Sequence, residues 1–158
     1  MNLPTDALDP EVAQLVAGYP CVVTTLVAWG DMDANRHVNN VVYLRYMEHA
    51  RLHYFGMIGW LDHGTGIGPI LAYTDCRFRR PLAYPDDVSI ATKISEVGED
   101  RFTMQTIIVS HKLKAIAAEG QQRLVSYDYL HHHKAPLPEV IRQRIAEIEN
   151  RAGQQPNT

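Results

Sequence analysis

The chain of 158 residues is 46% hydrophobic and 21% charged, with a formal net charge of −3, so it has room for one domain with an ordinary core. The slight negative charge argues against a nucleic-acid partner. No apolar run approaches the roughly 20 residues that span a bilayer, and residues 1–20 contain no lysine or arginine. We therefore expect neither a secretory signal nor a membrane span, and a cytoplasmic location.

The first half of the chain predicts an arm, a short strand and one long helix. Residues 1–20 contain three prolines and are interpreted as an N-terminal arm with one helical turn near 10–18. Residues 21–28 are β-branched and predict a strand. Residues 41–58 repeat apolar side chains at spacings of three and four, which predicts a helix of about 25 Å. Its apolar stripe consists of Tyr43, Met47, Ala50, Tyr54 and Ile58.

The second half predicts strands joined by short turns. Glycines between 56 and 68 end the helix in a loop, and beyond them the hydrophobic pattern changes to a period of two. Gly120, within the last strand, suggests a bulge or a sharp bend. Residues 136–151 predict a C-terminal helix, and residues 152–158 are expected to form a flexible tail. The predicted strands are 70–79, 88–97, 102–111 and 115–129.

A long helix followed by strands in antiparallel succession favours an α+β fold in which the helix lies against one face of the sheet. We therefore predict a single domain, residues 1–158, with its core in residues 21–130. The opposite face of the sheet needs cover by another element or by a second copy of the chain.

Polar residues are concentrated in residues 29–40, between the first strand and the long helix. This segment contains two carboxylates, a histidine and three carboxamides. A helix N-terminus offers unpaired N–H groups and the positive end of the macrodipole. A carboxylate just upstream could attack, or activate water against, a carbonyl whose oxygen those N–H groups hold. The segment is therefore the predicted active site, provided that Asp33 faces a cavity near the first turn of the helix.

The segment resembles the signature of hotdog-fold acyl-CoA thioesterases, in the branch of 4-hydroxybenzoyl-CoA thioesterase, bacterial long-chain acyl-CoA thioesterases and plant acyl-ACP thioesterases. The 4-hydroxybenzoyl enzymes usually have Asp-Pro-x-Gly where this chain has residues 33–36, which favours the fatty-acyl enzymes. The resemblance covers residues 22–130, with a second, weaker match at 78–88. The signature Asp-x-Asn-x-His-Val-Asn-Asn with a following tyrosine is present as Asp33, Asn35, His37, Val38, Asn39, Asn40 and Tyr43.

The resemblance implies an antiparallel sheet wrapped around a long central helix, in a homodimer or a dimer of dimers with active sites at the subunit interface. It implies that Asp33 is the nucleophile or general base, assisted by Asn35 and His37. It implies that the backbone N–H groups of Asn40 and Val41 bind the thioester oxygen. The implied activity is hydrolysis of a fatty-acyl or aromatic-acyl CoA without a cofactor, with acyl carrier protein as an alternative carrier.

The same residues also have structural interpretations. Asp33 could be a turn residue, Asn35 and His37 could fix the loop, and Asn39 or Asn40 is expected to cap the helix, which does not exclude presenting its N–H groups. Asp31 is interpreted as structural.

Other charged residues outside the segment are less specific. Glu48 lies on the long helix, where some hotdog thioesterases carry their catalytic carboxylate, but flanking arginines favour a surface ion pair. Tyr43, Arg79 and Arg80 are candidate substrate contacts. Arginines on the strands could hold the phosphates of coenzyme A, although solvated strand faces explain them equally well. These arginines are Arg77, Arg79, Arg80 and Arg123.

No metal site is expected. His131-His132-His133 lies in a loop after the last strand, and we find no partner carboxylate spaced for zinc. Cys21 and Cys76 also lack metal-type spacing and are expected to be reduced thiols.

Two other functions remain open. Hotdog enoyl-CoA hydratases use an Asp and a His near an Asn, but their Asp-x-Asn-Pro-x-His signature has a proline that is missing here and a histidine one position later. A non-catalytic acyl-thioester binding module would keep the pocket but would be expected to lose the acid, and Asp33 is present.

Overall fold

The structure is a computed structural model that describes residues 8–61 and 66–153. The predictions for residues 1–7 of the arm, residues 62–65 of the glycine-rich loop and residues 154–158 of the tail lie outside the described residues. The helices are α1 Pro10–Val16, α2 Asn40–Met57 and α3 Glu139–Gly153, and a 3-10 turn spans Trp29–Asp31. The strands are β1 Cys21–Leu26, β2 Ile67–Thr74, β3 Arg77–Phe78, β4 Asp87–Val97, β5 Arg101–Ser110, β6 Ala115–Asp128 and β7 His133–Lys134.

All paired strands are antiparallel, in the order β1-β4-β5-β6-β2, and the short strands β3 and β7 also pair with β6. The strands β4, β5 and β6 follow one another through tight turns, as the sequence predicts. In contrast, β2 does not pair with the next long strand, β4. It lies at the opposite edge of the sheet beside β6, so α2 connects the two outer strands, β1 and β2.

The predicted strand 70–79 is interrupted after Thr74. Asp75 breaks it: its backbone N–H donates to the carbonyl of Gln121 on β6, but the backbone N–H of Gln121 donates to Oδ1 of the Asp75 side chain rather than to its carbonyl. The carbonyl oxygen of Asp75 lies so close to Gly120 that a Cβ there would approach it to 2.2 Å. Gly120 itself pairs in register with Thr106, so it is not a bulge. The register shift in β6 lies at Ala117 instead, and Gly120 is needed for the close approach of the crossing chain.

The helix α2 packs against the concave face of the sheet. The whole predicted apolar stripe, from Tyr43 to Ile58, is buried, with each of its side chains at most 3% exposed. The buried face is wider than that stripe, because Tyr46, Arg51 and Phe55 are buried as well. Two adjoining clusters result, one around the first half of α2 and one around its second half.

The two remaining helices cover other parts of the sheet. On the outer face, α1 packs Val12 and Val16 against a patch of β4 and β5, so part of the predicted need for cover is met within the chain. The helix α3 closes the core beside the C-terminal end of α2, where the guanidinium of Arg144 donates to the carbonyl of Ile58 at 2.9 Å. No helix of the described residues is long and apolar enough to cross a membrane.

Candidate active site

The residues before α2 form a closed loop. Met32 and Val38 pair as an isolated antiparallel bridge. Inside this bridge the N–H of Asp33 donates to the carbonyl of His37 at 2.9 Å, and the N–H of Arg36 donates back to the carbonyl of Asp33 at 3.0 Å. Arg36 has a φ of 62°, in the left-handed region that favours glycine. Arg36 therefore forms this turn at the position where the 4-hydroxybenzoyl enzymes usually have glycine.

Asp33 lies on the exposed part of this loop. Its Oδ1 accepts the N–H of Asn35 at 2.8 Å, which is the bond of an Asx turn. The hydrogen bonds described for Asn35 and His37 use their main-chain atoms, and both side chains are exposed. The loop thus brings the three predicted catalytic residues together on one exposed turn just ahead of α2.

The first turn of α2 is capped by Asn39, as predicted. Its Oδ1 accepts the N–H of Val41 at 3.0 Å, and its carbonyl accepts the N–H of Val42 at 2.9 Å. Among the described residues, the N–H of Asn40 has no hydrogen-bond partner. Of the two N–H groups assigned to the thioester oxygen, the one on Val41 is therefore engaged by the cap, whereas the one on Asn40 is available.

Asp31 anchors the loop to α2, in agreement with its structural interpretation. Its Oδ2 accepts both the hydroxyl of Tyr46, at 3.0 Å, and the N–H of Ala28, at 3.1 Å. Burial, and then the bond to this carboxylate, raise the pKa of Tyr46. The hydroxyl therefore keeps its proton and remains a donor, which ties the 3-10 turn to the helix.

Tyr43 has a clear packing role. Its ring is buried and meets the ring of Phe78 edge-on, with centroids 5.0 Å apart. Its hydroxyl accepts the N–H of Leu82 at 3.0 Å. Arg79 and Arg80 directly follow Phe78. Their backbone N–H groups both donate to the carbonyl of Ala117, and both side chains are exposed. Contact of these three residues with substrate stays a prediction.

Glu48 forms the predicted ion pair, with Arg51, at 3.3 Å. The sequence did not reveal the rest of this arrangement: Arg51 is buried, and its other nitrogen donates to Oε1 of the buried Gln122 at 2.9 Å. Because Gln122 lies far away along the chain on β6, no local pattern could have identified it.

Two cavities of the described residues do not include the predicted catalytic residues. One cavity, of about 590 Å³, lies around Cys76 and Gly120 on the sheet, and another, of about 600 Å³, lies between Leu26 and Tyr84. Asp33 lines neither of them. A pocket that receives an acyl group at Asp33 therefore has to involve a surface outside these two cavities.

Comparisons with known proteins identify the family. The model of the thioesterase-like superfamily matches residues 27–145, and no curated protein matches the chain. A thioesterase from Thermus thermophilus, in complex with coenzyme A and Zn, is 32% identical, with a TM-score of 0.75 over 84% of this chain and 96% of that one.

Two more distant structures show the same fold. A thioesterase-superfamily protein from Jannaschia sp. CCS1 is 22% identical, with a TM-score of 0.82 over 95% of this chain and 94% of that one. Slr0204 from Synechocystis, a 1,4-dihydroxy-2-naphthoyl-CoA thioesterase, is 18% identical, with a TM-score of 0.73 over 80% of this chain and 96% of that one. The predicted hotdog fold is therefore confirmed.

The family model begins directly after β1 and extends into α3, so it includes the loop, the capped helix and the strands from β2 to β7. The sequence-based resemblance to hotdog thioesterases is confirmed by this match. This chain belongs to the thioesterase-like superfamily and is a thioester hydrolase.

Proposed function

We propose that the protein hydrolyses an acyl-coenzyme A to the free acid and coenzyme A, with Asp33 as nucleophile or general base. The observation that carries the proposal is the juxtaposition at the start of α2 of an exposed, turn-held carboxylate and the unpartnered N–H of Asn40. The Thermus thermophilus relative is complexed with coenzyme A, which supports coenzyme A as the carrier.

The chemistry of a thioester suits a site that consists of a carboxylate and an N–H group at a helix N-terminus. A thiol has a pKa near 8.5, so the sulfur can leave as thiolate without a strong general acid. Attack by water or carboxylate turns the carbonyl oxygen into an oxyanion. The N–H of Asn40, at the positive end of the α2 dipole, would stabilise that charge. Asn35 and His37 would orient water or Asp33 from the same turn.

The proposal includes a homodimer or a dimer of dimers with the site at a subunit interface. In the single chain Asp33 is exposed and lines neither of the two cavities described above, so a second copy would have to cover it. The edge strand β2 supports such an assembly, because Ile70, Leu71 and Tyr73 are each at least 38% exposed there.

The decisive variant is Asp33→Asn, assayed by thiol release from palmitoyl-CoA and benzoyl-CoA with a thiol-trapping dye. The amide keeps the shape and can still accept the N–H of Asn35, but it can neither attack nor take a proton. We expect kcat to fall by about 10²- to 10⁴-fold, the usual contribution of such a group. The two substrates together compare aliphatic with aromatic acyl groups.

Glu48→Gln is the matched control. Glu48 is the other carboxylate considered for catalysis, and in the structure it pairs with Arg51 at the surface. We expect its variant to retain kcat within a few-fold. Wild-type thiol release by Asp33→Asn, or a loss with Glu48→Gln alone, would contradict the assignment.

The alternatives give different results with the wild-type protein. A hydratase would remove the conjugation of crotonyl-CoA without releasing thiol. A binding module would retain acyl-CoA without any turnover. The roles of Tyr43, Arg79 and Arg80, the choice between coenzyme A and acyl carrier protein, and the cytoplasmic location stay predictions.

A further inference from the structure

A second group of reactive side chains lies beyond the end of β6. Asp128, His131 and His133 each offer one ligand atom, and these atoms lie within 4.8 Å of one another. No carboxylate spaced for zinc was expected beside the three histidines, but the structure supplies Asp128, the last residue of β6. We propose that these three residues, the β6–β7 cluster, bind a divalent transition-metal ion such as Zn²⁺.

The two imidazoles are already held in the form that binds metals. Nδ1 of His133 lies 2.8 Å from the carbonyl of Lys134, and because a carbonyl only accepts, Nδ1 carries the proton and Nε2 has the free lone pair. Nδ1 of His131 lies 2.7 Å from Oδ2 of Asp128. Metal-binding histidines usually donate their second ring N–H to a carboxylate or a backbone carbonyl. In both rings Nε2 is therefore the nitrogen left to bind a metal ion.

Asp128 is the fixed point of the cluster. Its side chain is only 15% exposed, and its Oδ1 accepts the backbone N–H groups of Leu130 and His131 at 2.9 and 3.0 Å. These bonds hold the carboxylate in place beside His131, where it orients the ring and adds a negative charge. The cluster thus offers two nitrogen donors to the ion, one of them on a ring that an anchored carboxylate orients, an arrangement that suits zinc and its neighbours.

The geometry permits closure on an ion. The rings of His131 and His133 are stacked, with centroids 6.0 Å apart and planes at 22°. Zinc–nitrogen bonds of about 2.0–2.1 Å in a tetrahedral site place donor atoms about 3.4 Å apart. The ligand atoms of the cluster lie within 4.8 Å of one another, so small side-chain movements would bring them to this spacing, with waters completing the coordination.

A bound ion would stabilise the connection between β6 and β7. The strands β6 and β7 share only two residue pairs, Tyr127–Lys134 and Asp128–His133. After β7 the chain continues into the buried Leu137 and α3, so an ion across the turn would hold the connection to that helix. Asp128 also pairs with Ile67, which follows the C-terminal end of α2, whereas Asp33 precedes the N-terminal end. Within one chain the cluster therefore lies in a different part of the fold from Asp33, and the role we propose for the ion is structural.

The test is a titration of ZnCl2 into tag-free, chelator-stripped protein, followed by calorimetry and by thermal unfolding. We expect one ion per chain and a rise in Tm. His131→Ala and His133→Ala should each abolish the rise. Asp128→Asn, which still accepts the backbone N–H groups, should weaken binding by about 10- to 100-fold, the usual effect of losing an orienting partner.

His132→Asn is the matched control. His132 lies in the same run of histidines but outside the cluster, and asparagine tolerates its φ of 58°. This variant should bind Zn²⁺ like the wild type. With Cu²⁺ as the probe, electron paramagnetic resonance should show two coupled nitrogens in the wild type and one in each single alanine variant. Equal Zn²⁺ binding by all variants, or no binding by the wild type, overturns the proposal.

Discussion

At the scale of single residues, Asn40 offers a way to remove one backbone donor without disturbing the fold. It is the first residue of α2, where proline is tolerated because the N–H has no helical partner. Asn39 before it has a φ of −62° and a ψ of 142°, the extended conformation that a following proline requires. The substitution Asn40→Pro should therefore delete the N–H and leave α2 intact.

We expect Asn40→Pro to lower kcat by about 10²- to 10³-fold, as the loss of one oxyanion donor does elsewhere, with a Tm close to that of the wild type. Asn40→Ala changes the same side chain but keeps the N–H, so it should retain most of the activity. Steady-state thiol release and thermal unfolding of both variants would measure the effect. Equal activity of the two variants would show that this N–H does not hold the thioester oxygen.

Residues near one another in sequence could be predicted, whereas long-range partners could not. The cap at Asn39 and the turn at Asp33 follow from local side-chain chemistry, so both were accessible from the sequence. The bond between Asp31 and Tyr46 and the bond between Arg51 and Gln122 join residues 15 and 71 positions apart. No periodicity marks such partners, because they are set by how the elements pack.

At the scale of elements, helix and strand types followed from periodicity, but their ends depended on tertiary contacts. The predicted helix 41–58 agrees with α2 within a residue at each end, since its buried stripe is regular. The strand predicted at 70–79 stops at Thr74 because Asp75 engages Gln121, a partner that only the folded sheet provides. The short strands β3 and β7 are likewise defined by their pairing with β6, which no local periodicity indicates.

One carboxylate on α3 adds to its attachment to the core. Oε1 of Glu149 accepts the hydroxyl of Tyr54 at 2.6 Å and the N–H of Ile94 at 2.8 Å, so it joins α3 to both α2 and β4. Burial, and then this carboxylate, raise the pKa of Tyr54, which therefore stays a donor. Without Glu149, two buried donors would lose their acceptor.

We therefore expect Glu149→Ala to lower the free energy of unfolding by about 2 to 3 kcal/mol, the cost of leaving buried donors unsatisfied. Glu147→Ala, at an exposed position two residues earlier on the same helix, should change it by less than about 0.5 kcal/mol. Urea unfolding followed by circular dichroism would compare them. Similar midpoints for the two variants would mean that Glu149 does not anchor the helix.

At the scale of the whole molecule, the sheet has an exposed edge at β2. Among the described residues, β2 has a strand neighbour only on the side of β6, and its exposed apolar side chains would be covered if two sheets joined there. The fold class could be predicted because one helix among antiparallel strands has few ways to bury its apolar stripe. The assembly is proposed from the resemblance and from this exposed edge, since nothing within one chain specifies what covers it.

Leu71→Lys tests whether this edge joins two copies and whether the joint site is needed for hydrolysis. A lysine there would place a charge in the proposed interface, so we expect the wild type to sediment as a dimer or tetramer and the variant as a monomer. Because Asp33 would then lose its cover, thiol release should fall by at least about tenfold, the effect of roughly 1.4 kcal/mol on the barrier. Leu113→Lys, at a similarly exposed leucine in the turn between β5 and β6, should leave both assembly and activity unchanged. A monomeric Leu71→Lys with wild-type activity would show that each chain carries a complete site.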